Sequence, residues 1–107
     1  MDAAAALDSL SALAHPTRLD AFRLLVRSEP DGLSTGQLVE ASSLSQSTFS
    51  SHLAILVGVG LVVSEKRGRQ MIQRANLDAV RQLMLYLAKD CCGGRAELCE
   101  PLVAELS

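Results

Sequence analysis

The chain is predicted to be mainly α with one β-hairpin, on three observations. Apolar residues recur at helical spacing through residues 2–57, interrupted only by short Pro-, Gly- and Ser-bearing turns. Leu61-Val62-Val63-Ser64-Glu65-Lys66 then turns β-branched, reverses through Arg67-Gly68-Arg69 and returns as Gln70-Met71-Ile72-Gln73-Arg74-Ala75 with partial alternation. Finally Asn76 opens a last segment in which Leu77, Val80, Leu83, Met84 and Leu87 form an apolar stripe.

The first helix is expected over residues 2–14, an Ala-rich stretch without Gly or Pro that carries Leu7, Leu10, Leu13 and Ala14 at helical spacing. His15-Pro16-Thr17-Arg18 interrupts it, because proline cannot continue a helix but suits the first position of a new one. His15 there reads as a structural cap rather than a ligand. The second helix runs from Pro16 to about Ser28, with Leu19, Phe22, Leu25 and Val26 expected inside, and Pro30-Asp31-Gly32 ends the segment. Ser34 and Gln37 have the spacing of a capping box, so a short third helix covers Thr35 to about Ala41. After the Ser42-Ser43-Leu44-Ser45 turn, Ser45 can cap a fourth helix to about residue 57. Its inner face is Phe49, Leu53 and Leu56. Its outer face, Gln46, Ser47, Thr48, Ser50, Ser51 and His52, is small, hydrogen-bonding and almost uncharged, unlike an ordinary solvent-facing helix. Such a face can press closely against base edges. His52 sits at the apolar boundary, where a base contact, a phosphate contact and a core-edge position all remain open.

At 107 residues, 49% hydrophobic and 21% charged, the chain is expected to form one globular domain spanning 1–107. Its longest apolar run, Leu53 to Val63, is interrupted by Gly58 and Gly60 and falls short of the roughly 18 residues that suggest a bilayer span. The Met1-Asp2 start has no basic n-region, so the expected compartment is the cytoplasm, where thiols stay reduced. Net charge is −2, unpromising for a nucleic-acid binder until the charges are located. Between Glu65 and Arg74 stand Lys66, Arg67, Arg69 and Arg74 against Glu65 alone, whereas acidic residues prevail after Asn76. One basic edge on an acidic molecule is therefore expected.

Helix, helix, helix-turn-helix, hairpin, helix is the order of a winged helix-turn-helix module, with a reading helix at about 45–57, a wing at about 61–75 and a C-terminal helix with a cysteine site at about 76–107. The sequence resembles the ArsR/SmtB family of metal-responsive transcriptional repressors over nearly its whole length. Carrying the resemblance are Leu13-Ala14-His15-Pro16-Thr17-Arg18, the stretch from Leu44 to Leu53, and Gly60-Leu61-Val62 through Arg67-Gly68-Arg69. It implies a homodimer paired through the first and last helices, double-stranded operator DNA as partner, and no membrane. The fourth helix would enter the major groove while Arg67 and Arg69 on the wing touch the backbone or minor groove.

The effector has to be sought in the cysteines. All three, Cys91, Cys92 and Cys99, lie near the C-terminal end, a ligand-like cluster rather than a disulfide framework. Adjacent Cα atoms are about 3.8 Å apart, below the roughly 4.4 Å minimum usual for disulfides, so a Cys91–Cys92 bridge would be strained. In one continuous helix Cys92 and Cys99 would stand about 10.5 Å apart along the axis. Gly93-Gly94 can break the helix and fold Cys99 back. Three soft thiolates without histidine suit a pyramidal three-coordinate centre better than tetrahedral zinc. The third helix has no cysteine, and Asp78 with Arg81 and Gln82 does not make a zinc site on the last helix. The segment from Asp90 to Cys99 is similar to the C-terminal three-thiolate site of arsenite-responsive members of the family. That implies arsenic(III), with antimony(III) as its relative, as an effector rather than a required cofactor. A repressor of the same fold responsive to thiol oxidation or to another metal is the alternative reading. An enzyme is not expected, because Gly93-Gly94-Arg95 only faintly resembles an anion-cradling loop and nothing supplies a general base.

Overall fold

The computed structural model describes residues 1–91 and position 105. Helix α1 (Ala3–Leu13) is capped by Asp2, whose carboxylate accepts the Ala5 N–H at 2.8 Å. Helix α2 (Pro16–Arg27) starts on proline with His15 as its cap. A two-residue strand β1 (Leu33–Ser34) leads into α3 (Thr35–Ser42). Helix α4 (Gln46–Gly58), the hairpin β2 (Val62–Arg67) and β3 (Gln70–Ala75), and α5 (Leu77–Cys91) complete the order. The expected capping box is present in both directions: Ser34 Oγ accepts the Gln37 N–H at 3.1 Å, and Gln37 Oε1 accepts the Ser34 N–H at 2.8 Å. Ser45 Oγ accepts the Thr48 N–H at the start of α4. Asn76 does two jobs, accepting the Ala79 N–H and donating to the Gly60 carbonyl at 2.9 Å, which ties the start of α5 to the end of α4.

The core is formed by Phe22 and Leu25 of α2, Leu38 of α3, Phe49, Leu53 and Leu56 of α4, and Leu61, Val62 and Ala75 around the hairpin. One expectation needs correction. Leu19 and Val26 are exposed, at 42% and 39%, because the inward stripe of α2 is centred on Ala21, Phe22 and Leu25 and leaves them on its flank. On α1 Leu7 and Leu10 face outward, while the small residues Ala6, Ser9 and Ala12, with Leu13 half-buried at the end, face the body and let the helix approach α2 and α4 closely. Leu7 is 65% exposed and Leu85, on the neighbouring α5, 63%. On α5 only Leu83 of the predicted stripe is buried, with Val80 and Leu87 half-buried and Leu77 and Met84 exposed.

The sheet has three antiparallel strands in the order β1-β3-β2, one more than the expected hairpin. Leu33 pairs with Gln73 and Ser34 with Ile72, so the wing is stitched to the start of α3. The hairpin pairs Val62 with Ala75 through Arg67 with Gln70, closing on the two-residue loop Gly68-Arg69. Gly68 has φ +62°, matching the glycine-first pattern of such loops. At the far end of α4 the helix runs one residue past the expected 57: Gly58 is still helical, and Gly60, at φ +84°, makes the turn.

Candidate nucleic-acid interface

Burial of Phe49, Leu53 and Leu56 fixes how α4 is rotated, and that rotation turns Gln46, Ser47, Thr48, Ser50 and Ser51 outward. Not all of them are equally free. Ser51 Oγ donates to the Ser47 carbonyl at 3.2 Å, and Ser45 Oγ donates to Thr48 Oγ1 at 2.9 Å. Gln46 and Ser50 make no side-chain hydrogen bond among the described residues, leaving a free amide and a free hydroxyl on the N-terminal half of the helix. His52 is different. It is half-buried, its Nδ1 lies 3.1 Å from an Arg18 nitrogen, and its ring lies against that of His15 at a tilt.

The wing supplies positive charge, with one adjustment to the sequence-based tally. Arg74 does not belong to the basic edge: its guanidinium grips Glu29 at 2.7 Å and Glu65 at 3.2 Å, at the junction of the hairpin with the end of α2. Those two carboxylates raise the Arg74 pKa, and the Arg74 hydrogen bond in turn holds Glu29 below its ordinary value. Arg67 is partly engaged, donating to Glu65 at 2.9 Å and to the Asp31 carbonyl at 3.3 Å. The Arg67 hydrogen bond, followed by that from Arg74, lowers the Glu65 pKa. Lys66 and Arg69 have no acidic partner among the described residues. They are the free cations of the hairpin.

Glu29 has a depressed pKa, so its contribution to stability is present above its ordinary value of 4.5 and is lost as pH falls through the lowered folded value. Glu29→Gln is therefore expected to lower the thermal midpoint at neutral pH, and by progressively less as pH falls below 4.5 toward the lowered folded value. A loss that stays constant as the melt is taken down in pH would contradict the ion-pair role.

Between α4 and the wing runs a shallow groove lined by Ser34, Thr35, Gly36, Gln46, Gln70 and Met71. Gln70 and Met71 were not among the sequence-predicted site residues. Their signal was only that they follow the arginine-bearing turn; that β3 sets them beside Gln46 is a tertiary fact. The N-termini of α3 and α4 sit at this groove, and backbone N–H groups at helix N-termini favour phosphate oxygens. Small polar helix face, groove and free cations thus share one edge of the molecule.

The cysteines fall differently. Cys91 is described only as the last residue of α5, while Cys92, Cys99 and the Gly93-Gly94 helix stop lie outside the described residues. Among the described residues no group of three or more His, Cys, Asp or Glu side chains is gathered as a metal site, and no helix is long and apolar enough to cross a membrane.

Residues 13–65 match the family described as a helix-turn-helix domain. The chain is 33% identical over 83 residues to the HTH-type transcriptional regulator YgaV of Escherichia coli (strain K12), covering 78% of this chain and 82% of that protein. An ArsR-like transcriptional regulator from Rhodococcus sp. RHA1 superposes with a TM-score of 0.72 at 26% identity, covering 94% of this chain and 89% of the other. A structure described as a possible transcriptional regulator for arsenical resistance superposes with a TM-score of 0.66 at 31% identity, covering 92% and 95% of the two chains.

Proposed function

The chain belongs to the ArsR family of helix-turn-helix transcriptional regulators, and from that premise we propose that it is an arsenic(III)-responsive repressor: a cytoplasmic homodimer that binds operator DNA and is released when trivalent arsenic or antimony is captured by Cys91, Cys92 and Cys99. The observation that carries the effector is the gathering of every cysteine of the chain into residues 91–99, next to the helix α5. A structural relative described as a possible regulator for arsenical resistance supports the same reading.

The dimer is supported by the outward leucines of α1 and α5. Leu7, Leu10, Met84 and Leu85 are exposed apolar side chains on two helices that pack together, as a pairing surface requires. A two-fold pairing through these helices would present two copies of α4 about 34 Å apart, one turn of duplex. Gln46, Ser47, Thr48, Ser50 and Ser51 would read base edges. Arg67, Arg69 and Lys66 would hold the backbone beside them.

Release requires the metalloid to bind the two conformations unequally. A metalloid held by Cys91, the last residue of α5, and by Cys92, the next in sequence, would bias the dimer through the helix that carries the pairing surface. A coupling of about 1–3 kcal/mol would weaken DNA binding about 5- to 150-fold. The test is arsenite titrated into a protein–DNA complex, with Cys91→Ser, Cys92→Ser and Cys99→Ser alongside. Each variant is expected to bind DNA like wild type and to need at least about tenfold more arsenite for release, since a hydroxyl is a hard, weak donor to a soft ion. Cys99→Ser should be the mildest, because the adjacent pair survives in it. Undiminished release from all three variants would exclude the site, and release by peroxide with no metalloid present would favour thiol oxidation instead.

The two halves of the DNA surface should also fail differently. Arg69→Ala is expected to weaken binding to every duplex and to reduce the log–log salt slope by about one unit. Gln46→Ala should instead cost about 1–3 kcal/mol of discrimination between chosen and random duplexes. Equal losses on both duplexes for Gln46→Ala would remove α4 from the reading role.

A further inference from the structure

Arg18 stands where three helices meet. Its Nε–H donates to the Ala12 carbonyl at 2.6 Å, and one terminal nitrogen reaches the Ser11 carbonyl at 3.5 Å. Both carbonyls belong to the last turn of α1, where partners inside the helix run out. The other terminal nitrogen points to Nδ1 of His52 on α4, 3.1 Å away. A guanidinium has no lone pair to offer, so His52 is the acceptor: its Nδ1 is bare and its proton sits on Nε2. His15 is held in the same tautomer, because its Nδ1 accepts the Thr17 backbone N–H at 3.1 Å to cap α2. The two rings are 4.3 Å apart, tilted by 35°.

We propose that Arg18 is a positioning residue that seats α4 against the end of α1 through His52, and that this joint opens when His52 takes a proton, weakening DNA recognition in acid. A proton on Nδ1 would point straight at the guanidinium, replacing a hydrogen bond with two facing cations. The groups that face His52 with charge or titratable protons are Arg18 and His15, both from the α2 segment; α1 brings backbone carbonyls to the joint, and α4 carries no other ionisable side chain. Burial first, then His15, then Arg18 hold the His52 pKa below its ordinary value of 6.5. With a lowered folded pKa, the contribution to stability is full above 6.5 and is lost as pH falls through the folded value. The predicted direction opposes bulk electrostatics, since acid makes a protein more cationic and strengthens its general attraction to phosphates.

This inference rests on α4 being the reading helix, and the test separates the two. Without DNA, NMR of the full chain should show the His52 Cε1 proton titrating below about pH 6.5. Backbone amides of the last turn of α1 and of α4 should move with the same midpoint. In Arg18→Ala the His52 midpoint should rise, and in His52→Gln the shared amide movement should vanish. The DNA probe is a duplex selected by the wild-type chain from a randomised library at neutral pH. Wild-type affinity should fall severalfold from about pH 7.5 to 5.5 with the same midpoint as the His52 titration, each unit of pKa difference between the two arrangements being worth at most about tenfold. His52→Gln, whose amide oxygen can accept from Arg18 and does not titrate, should keep the neutral-pH affinity and lose the fall. Arg18→Lys keeps the charge without the fork and should bind more weakly at both pH values. A wild-type pH fall retained by His52→Gln, or α1 amides that ignore the His52 titration, would overturn the joint. Unaltered discrimination in Gln46→Ala would overturn the reading role and the DNA half of the inference, while the amide coupling still decides the joint.

Discussion

Phe49→Ala is expected to lower the unfolding free energy by about 3–5 kcal/mol, a large part of the roughly 5–15 kcal/mol that holds a domain of this size together. Phe49 is 1% exposed and belongs to the same core as Leu38, Leu53 and Leu56. It also borders a small hollow lined by Ala21, Leu24 and Leu38, so truncation would enlarge an existing gap instead of letting the neighbours close over it. The consequence for function is direct, because Phe49 lies between Thr48 and Ser50 and its anchoring sets which way they point. Urea denaturation checks the stability, and Ser50→Ala, one residue along on the outer face, is the control expected to stay within about 0.5 kcal/mol of wild type. A loss under about 1 kcal/mol for Phe49→Ala would mean that the hollow collapses and that α4 is not anchored there.

The division between Phe49 and Ser50 shows what could be read in advance. Helix limits were legible wherever a side chain makes the cap, since Ser34, Ser45 and Asn76 act within three residues of their own position. The outward face of α4 was legible because a period of 3.6 fixes the back of a helix once its front is apolar. Strand β1 was not legible: Leu33-Ser34 is extended by virtue of its pairing with Gln73 and Ile72, partners distant in sequence. Arg74 counted as part of the basic edge until Glu29, from the end of α2, was found to hold it. On α2, Leu19 and Val26 were expected inside by spacing, yet the inward stripe is Ala21, Phe22 and Leu25. For the same reason His52 kept three readings open, because its partner Arg18 lies on another helix and no local pattern connects them. What stayed hidden in each case was set by packing between elements, and it includes which of the wing's charges are free to meet DNA.

Gly32→Ala is expected to be nearly as damaging as the loss of Phe49, though no apolar surface is removed. The Pro30-Asp31-Gly32 turn was evident from the sequence; the reason glycine is needed there was not. Gly32 has φ +73°, and a Cβ on it would lie 2.6 Å from the Gln73 carbonyl oxygen, 2.8 Å from Arg74 Cγ and 2.9 Å from Ile72 Cγ2. A left-handed backbone costs an ordinary residue about 1–2 kcal/mol, and forcing atoms into a filled site about 1–3 kcal/mol more. The oxygen cannot yield cheaply. It is backbone of β3, next to the pairing with β1, and the Gln73 side chain is itself buried, donating to Thr35 Oγ1 at 3.1 Å and accepting from Ser64. Relief would come by pulling β1 away from β3, which cuts the wing loose from the start of α3. The expected result is a loss of about 2–5 kcal/mol in urea, with faster amide exchange in β1 and β3 than in α2 and weaker binding to every duplex, because Lys66 and Arg69 are no longer held beside α4. Wild-type stability in Gly32→Ala would show that the turn relaxes without disturbing β3, and that the wing is not seated through β1.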